Sequence, residues 1–288
     1  MKFFWTNTIW FIILGIITIL ELVYVIKKSN KHKRTFAFYL SVCGMTFLFE
    51  MLLYGFLKSY DYYPMIFDNV SRLDDGLAGN LFSQFSISAT ALLICVLDLK
   101  FYWNIILALI YGGIEELFLF LGIYKQYWYR TWMTVAGLIV MFSIVKFMYN
   151  KFVKDRPKPI FKYILIYFAA FVPHTDLFGW PFRLIWGPSF SESLLPDAMN
   201  SAFLLFSISF NILCISSIII YFLRAKWWQT GLVVLFLYSV HIIAFLAGLI
   251  AYRDPGLMLL FATVEIVGIF IFIYIVDKLY GYEQQRLA

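Results

Sequence analysis

The sequence predicts an all-α fold, a polytopic transmembrane helix bundle of about nine helices. Of its 288 residues, 62% are hydrophobic and only 14% are charged, too few charges to cover a soluble domain. Mean hydropathy is +0.82. Apolar runs close to the length a helix needs to cross a bilayer recur from one end of the chain to the other.

Nine spans fit this pattern, at roughly 8–26, 35–57, 81–98, 102–123, 131–149, 161–180, 198–223, 229–251 and 255–276. Inside hydrocarbon each must close its backbone hydrogen bonds within the segment, which requires helices. The first run, from Thr8 to Ile26, is long, lacks a small-residue cleavage site and is followed by Lys27 and Lys28; it reads as a retained helix, not a secretory signal.

The net charge of +6 reads as topology, not as a nucleic-acid partner. Lys27, Lys28, Lys31, Lys33 and Arg34 gather in one loop, and Lys146, Lys151, Lys154, Arg156, Lys158 and Lys162 gather around another on the same side. Basic residues collect on the cytoplasmic face, which places the N-terminus outside and the C-terminus in the cytoplasm of a cell-membrane protein. The expected partners are the lipid bilayer and a small solute or lipid; oligomeric state is not legible. Cys43, Cys95 and Cys214 fall in apolar runs, so neither a disulfide framework nor a metal is expected.

The chain divides into a first helix with its basic loop (1–34), a four-helix membrane unit (35–150) and a second four-helix unit (151–288). The two larger parts resemble each other. "FEMLLYGF" at 49–56 aligns with "PHTDLFGW" at 173–180, and the same offset pairs Pro64 with Pro188. "FSIS" recurs at 85–88 and 206–209, and "KFYW" echoes "AKWW". An even number of spans per copy makes this a parallel repeat, as in some transporters; chance similarity in a Phe-rich chain is the alternative. The alignment sets Glu50 against His174 and Glu116 against His241.

Polar residues at membrane depth are the candidate site. A charge at the bilayer centre costs about 2.5–3.5 kcal/mol on insertion scales, and intramembrane acids mark function by default. Glu115 and Glu116 are adjacent within span four; His241 and Glu265 lie near the centres of spans eight and nine. These four are the candidates for proton exchange or acid–base catalysis. Glu50, Gln84, His174, Asp176 and Asn211 are the candidate substrate-binding groups. Adjacent helical residues point about 100° apart, so one of the two glutamates can face a cavity while the other faces a helix. Gln84, Ser88, Ala91, Cys95 and Asp98 share one face of span three; Asn104, Ala108, Tyr111 and Glu115 share one of span four. Gly112 and Gly113 allow close helix approach beside the glutamates. Glu21 and Asp98, nearer the inner surface, are expected to snorkel or to pair with lysines.

No HExxH, P-loop, GxGxxG or GxSxG motif is present, so no cofactor is implied. "IEELFLF", with Glu115 and Glu116, resembles the glutamate-pair segment of membrane-bound lycopene cyclase domains, which also occur in duplicated form. That resemblance implies acid chemistry on an isoprenoid. "YYP", "IEELFLFLGIY" and "WYRTW", across about residues 50–135, resemble uncharacterised multipass proteins of spore-forming Gram-positive bacteria, which implies no activity.

Three functions compete. The first is proton-linked movement of a small solute through a polar cavity, with His241 and Glu265 as relays for Glu115 and Glu116. The second is an intramembrane enzyme acting on a lipid or isoprenoid. The third is an assembly or sensory protein in which the acids only lock helices. A wet path to Glu115 favours the first; an apolar one favours the second.

Overall fold

The computed structural model describes residues 3–66, 72–154, 159–186, 189–191, 194–195 and 198–281. Among the described residues nine helices are long and apolar enough to cross a membrane. The chain forms two compact units, Met1–Lys158 and Pro159–Ala288. Arg156, Lys158 and Pro188, used above for orientation and repeat, lie outside the described residues.

The first unit begins with a π-helical segment, Phe4–Thr8, that runs into α1 (Ile9–Lys28). Next come α2 (His32–Glu50) with a π-helical extension Met51–Phe56, the strand β1 (Tyr60–Tyr62), α3 (Arg72–Val96) and α4 (Phe101–Phe120). The strand β2 (Tyr124–Gln126) and α5 (Thr131–Tyr149), with a π-helical end Asn150–Lys154, complete it. The second unit holds α6 (Pro159–Val172), a π-helical segment Pro173–Gly179, α7 (Trp180–Trp186), β3 (Ser189–Phe190), α8 (Ala198–Phe222), α9 (Trp227–Leu246), β4 (Ile250–Ala251) and α10 (Pro255–Tyr280). From α2 and from α6 onward the two units run through a similar order, helix with π-helical segment, strand, two helices, strand, helix, with the short helix α7 inserted before the first strand in the second unit.

In the first unit α3 is the central helix, packed on α1, α2 and α5, while α4 lies along α5. Small residues let it sit there: a Cβ on Gly79 would stand 2.8 Å from Tyr62 Cβ and 3.1 Å from Phe11. The expected polar face of α3 is buried, Gln84, Ser88, Ala91 and Cys95 all being inaccessible, and only Asp98 reaches the surface. By contrast α1 leaves Ile16, Ile17, Ile19 and Leu20 exposed, as lipid contact requires. In the second unit α10 is central, packed on α6, its π-helical segment, α8 and α9.

The strands pair antiparallel, Tyr60 opposite Gln126 and Tyr62 opposite Tyr124 in one sheet, Ser189 opposite Ala251 and Phe190 opposite Ile250 in the other. They are corrections to the expected spans, because α4 ends at Phe120 and α9 at Leu246 where the apolar runs continue to 123 and 251. Residues 121–123 and 247–249 turn off the helix ends, their N–H groups still bonding back to helix carbonyls, and the ladders begin only at Tyr124 and Ile250. The third span also begins earlier than the expected residue 81. Its polar first turn is still helix, and Asp75 there accepts the backbone N–H groups of Met65 and Ile66 at 2.9 Å. The two units divide after Lys158, and α5 continues into its π-helical end before that point.

Candidate functional site

The first unit contains a cavity of about 580 Å³, within the usual range of a small-molecule site. Its walls are mainly aliphatic and aromatic, including Phe11, Leu14, Ile87, Phe118 and Met141. A polar end is built from Glu50, Gln84 and Glu115 with Tyr60, Tyr62 and Tyr124. The lining differs from the polar path expected above. Most hydrogen-bonding groups of α3 are spent inside the bundle, Ser88 on Thr46 and Ser86 and Thr90 on Tyr111. The rim is formed by α2 and α5, where Phe49, Val140 and Ile144 line the cavity and are 58%, 58% and 48% exposed.

Each polar group at the site is placed by its local structure. Glu50 is the last residue of α2, buried, and accepts a hydrogen bond from Tyr60 Oη on β1 at 2.5 Å. Glu115 Oε1 accepts from Gln126 Nε2 at 2.5 Å, so β2 holds the acid on α4. Among the described residues neither carboxyl has a basic partner. Burial drives the phenols of Tyr60, Tyr62 and Tyr124 well above their usual range, so they remain protonated donors. Their rings are mutually inclined, with centroids 5.0–5.7 Å apart.

The adjacent glutamates diverge, as helical geometry requires. Glu115 lines the cavity; Glu116 is exposed and accepts from Thr131 Oγ1 at the start of α5. Gln126 bridges them by donating also to Thr131 Oγ1 at 3.1 Å. Of the two glycines, only Gly112 serves close packing. A Cβ there would lie 2.8 Å from Val135 Cγ2, whereas Gly113 faces open space.

The second unit joins three sequence candidates into one buried array. Glu265 stands between two histidines: His241 Nε2 is 3.0 Å from Oε2 and His174 Nε2 is 3.4 Å from Oε1. The three residues are 2–4% exposed. His174 lies in the π-helical segment, His241 on α9 and Glu265 on α10. Asp176 accepts from Thr175 Oγ1 at 3.0 Å, and its Oδ2 is buried without a partner. Asn211 is held apart from this array by Tyr167, whose Oη donates to its Oδ1 at 2.7 Å.

Glu21 does not pair with a lysine; it accepts from Thr90 Oγ1 at 3.0 Å. Asp98 does, with Lys146 Nζ at 3.0 Å, and the ammonium holds this carboxyl below its usual range. The sequence reading also missed a buried ion pair. Lys162, counted as a loop cation, lies 2.5 Å from Asp277, which also accepts from Tyr221 Oη at 3.1 Å. The tyrosine end of the cavity was missed as well, although Tyr60 and Tyr62, two apart, share one strand face and signal it.

No family model, curated protein or solved structure matches this chain.

Proposed function

We propose that the protein binds an apolar, membrane-dissolved molecule in the cavity of its first unit and acts on it by carboxylate acid–base chemistry, an isoprenoid or similar lipid being the substrate class. The observation that carries this reading is the combination of a mainly apolar 580 Å³ cavity with two carboxyls, Glu50 and Glu115, at one end. A rim on membrane-crossing helices suits a molecule arriving from the bilayer. Glu115, oriented by Gln126, exchanges a proton with the ligand; Glu50, oriented by Tyr60, balances the positive charge that develops, aided by the tyrosine rings. The likeness of "IEELFLF" to lycopene cyclase segments points the same way. The Lys and Arg bias supports a cell-membrane protein with its N-terminus outside, and the recurring element order supports duplication of a four-helix unit with α1 added.

The test uses geranylgeraniol, a C20 isoprenoid alcohol, with protein in lipid nanodiscs and D2O. Wild type binds it saturably and places deuterium in its allylic positions. Gly137→Trp weakens binding at least tenfold, since Gly137 lines the cavity and has open space at its Cβ; Glu115→Gln binds but no longer exchanges. Equal binding by wild type and Gly137→Trp rejects the site, and exchange that survives Glu115→Gln rejects the chemistry.

A further inference from the structure

The His174–Glu265–His241 array fixes its own proton inventory. His241 Nδ1 lies 3.0 Å from the Leu237 carbonyl, which can only accept, so Nδ1 carries a hydrogen. Its Nε2 therefore faces Glu265 with one proton on that line: either imidazolium donates to carboxylate or the carboxylic acid donates to neutral imidazole. In both cases the pair is neutral as a whole. His174 has no hydrogen bond at either ring nitrogen, although both are buried. The second oxygen of Glu265 is 3.4 Å from its Nε2.

We infer that this array is a proton-binding site that stores one proton on His174 and passes it no further. The proton comes from bulk water and adds to the free ring nitrogen of His174. The imidazolium then donates through Nε2 to Glu265 Oε1, and the net charge of the array rises by one. Transfer beyond His241 has no acceptor, because its other N–H ends on a backbone carbonyl. The array is thus a reservoir, distinct from a through-conducting wire. Loading it adds a hydrogen bond between the π-helical segment after α6 and α10, and so tightens that contact. π-turns of this kind often mark functional positions.

The surrounding groups leave this role to His174. Asp176 shares its π-helical segment and is held by Thr175. Burial first and the nearby Glu265 second hold Tyr252, in the α9–α10 connection, as a neutral phenol. On α9, Tyr238 is bonded to Thr263. On α6, Tyr167 is bonded to Asn211 and Tyr163 packs on Phe222. On α8, Cys214 is a buried thiol. Lys162 and Tyr221 are engaged by Asp277, about 18 Å along α10 from Glu265 at 1.5 Å per residue.

The chain has three histidines, so ¹⁵N-histidine NMR of the full protein in nanodiscs reads each ring, with exposed His32 as reference. On lowering the pH from about 9 to about 5, a range that spans histidine titration, His174 passes from one protonated nitrogen to two. His241 keeps its Nδ1 proton throughout. In Glu265→Gln the His174 transition is lost from this window. In His174→Gln the protein takes up one proton fewer and the His241 signal is unchanged. A wild-type His174 whose protonation never changes, or a His241 that loses its Nδ1 proton, overturns the inference. These two readings need only wild type, so a variant that fails to fold does not leave the question open.

Discussion

From α2 and from α6 the two units follow a similar order of elements but treat the space between the first and last long helices of that order differently. In the second unit α6 packs directly on α10, and the contact at its end is made by His174 and Glu265. In the first unit a cavity lies between α2 and α5, with Glu50 where the alignment sets His174. Counted from the helix starts, the eleventh residue of α10 is Glu265 and the eleventh of α5 is Met141, which lines the cavity. One unit sets a carboxylate beside a histidine at this level; in the other, Met141 and Glu50 both line a cavity.

That comparison breaks most visibly where buried charge is involved. Asp277→Ala leaves Lys162 buried without its carboxylate, and loss of one partner of such a pair typically costs about 3–5 kcal/mol. Unfolding of the reconstituted protein in denaturant measures this; a change below about 1 kcal/mol means the ammonium finds another partner. The next effect comes from rebuilding the second unit's contact in the first. Glu50→His with Met141→Glu is expected to draw α2 onto α5 and to weaken geranylgeraniol binding tenfold or more, about 1.4 kcal/mol. Unchanged binding shows that helix spacing, and not this side-chain pair, holds the cavity open. Of comparable size is Gly112→Ala, which forces α4 from α5 at Val135 and costs about 1–3 kcal/mol by overpacking. Gly113→Ala, facing open space, raises stability by up to about 1 kcal/mol through helix propensity.

The smallest effect is at the exposed Asp98–Lys146 pair. Its folded-state carboxyl sits below the usual value, so its contribution is present at neutral pH and is lost as the pH falls below the ordinary aspartate range. The Asp98 side chain is 67% exposed, and solvent screening limits the contribution to about 0.5 kcal/mol. A comparison of Asp98→Asn with wild type at neutral and acidic pH reads it: the difference shrinks in acid. A difference that grows in acid reverses the sign of the coupling.

Much of the scaffold was legible because hydrocarbon leaves a chain few options: runs from Thr8 to Ile26 or from Pro255 to Val276 can only be helices there. Their ends were less legible. Apolar residues such as Ile123 and Ile250 continue a hydropathy run whether they lie in a helix or beside a strand, and only pairing across the chain separates the two. Within the site, the divergence of Glu115 and Glu116 follows from helix geometry alone. The partners do not. That Glu50 meets Tyr60, Glu115 meets Gln126 and Glu265 meets two histidines depends on packing between distant segments, which a single sequence does not encode by spacing. Lys162 was misplaced for the same reason. A lysine near a basic loop looks solvated until the aspartate near the far end of α10 is set against it.

The direct test of the contrast between the cavity carboxyls and the buried Glu265 is carboxyl modification by N,N′-dicyclohexylcarbodiimide, an apolar reagent that attacks carboxyl groups reachable from hydrocarbon, with adducts located by peptide mass spectrometry. Glu115 and Glu50 should be modified in the wild type and protected in Gly137→Trp, while Glu265 should remain unmodified in both. Modification of Glu265 at a rate equal to Glu115, or an unreactive Glu115 beside a reactive Glu265, would contradict the account.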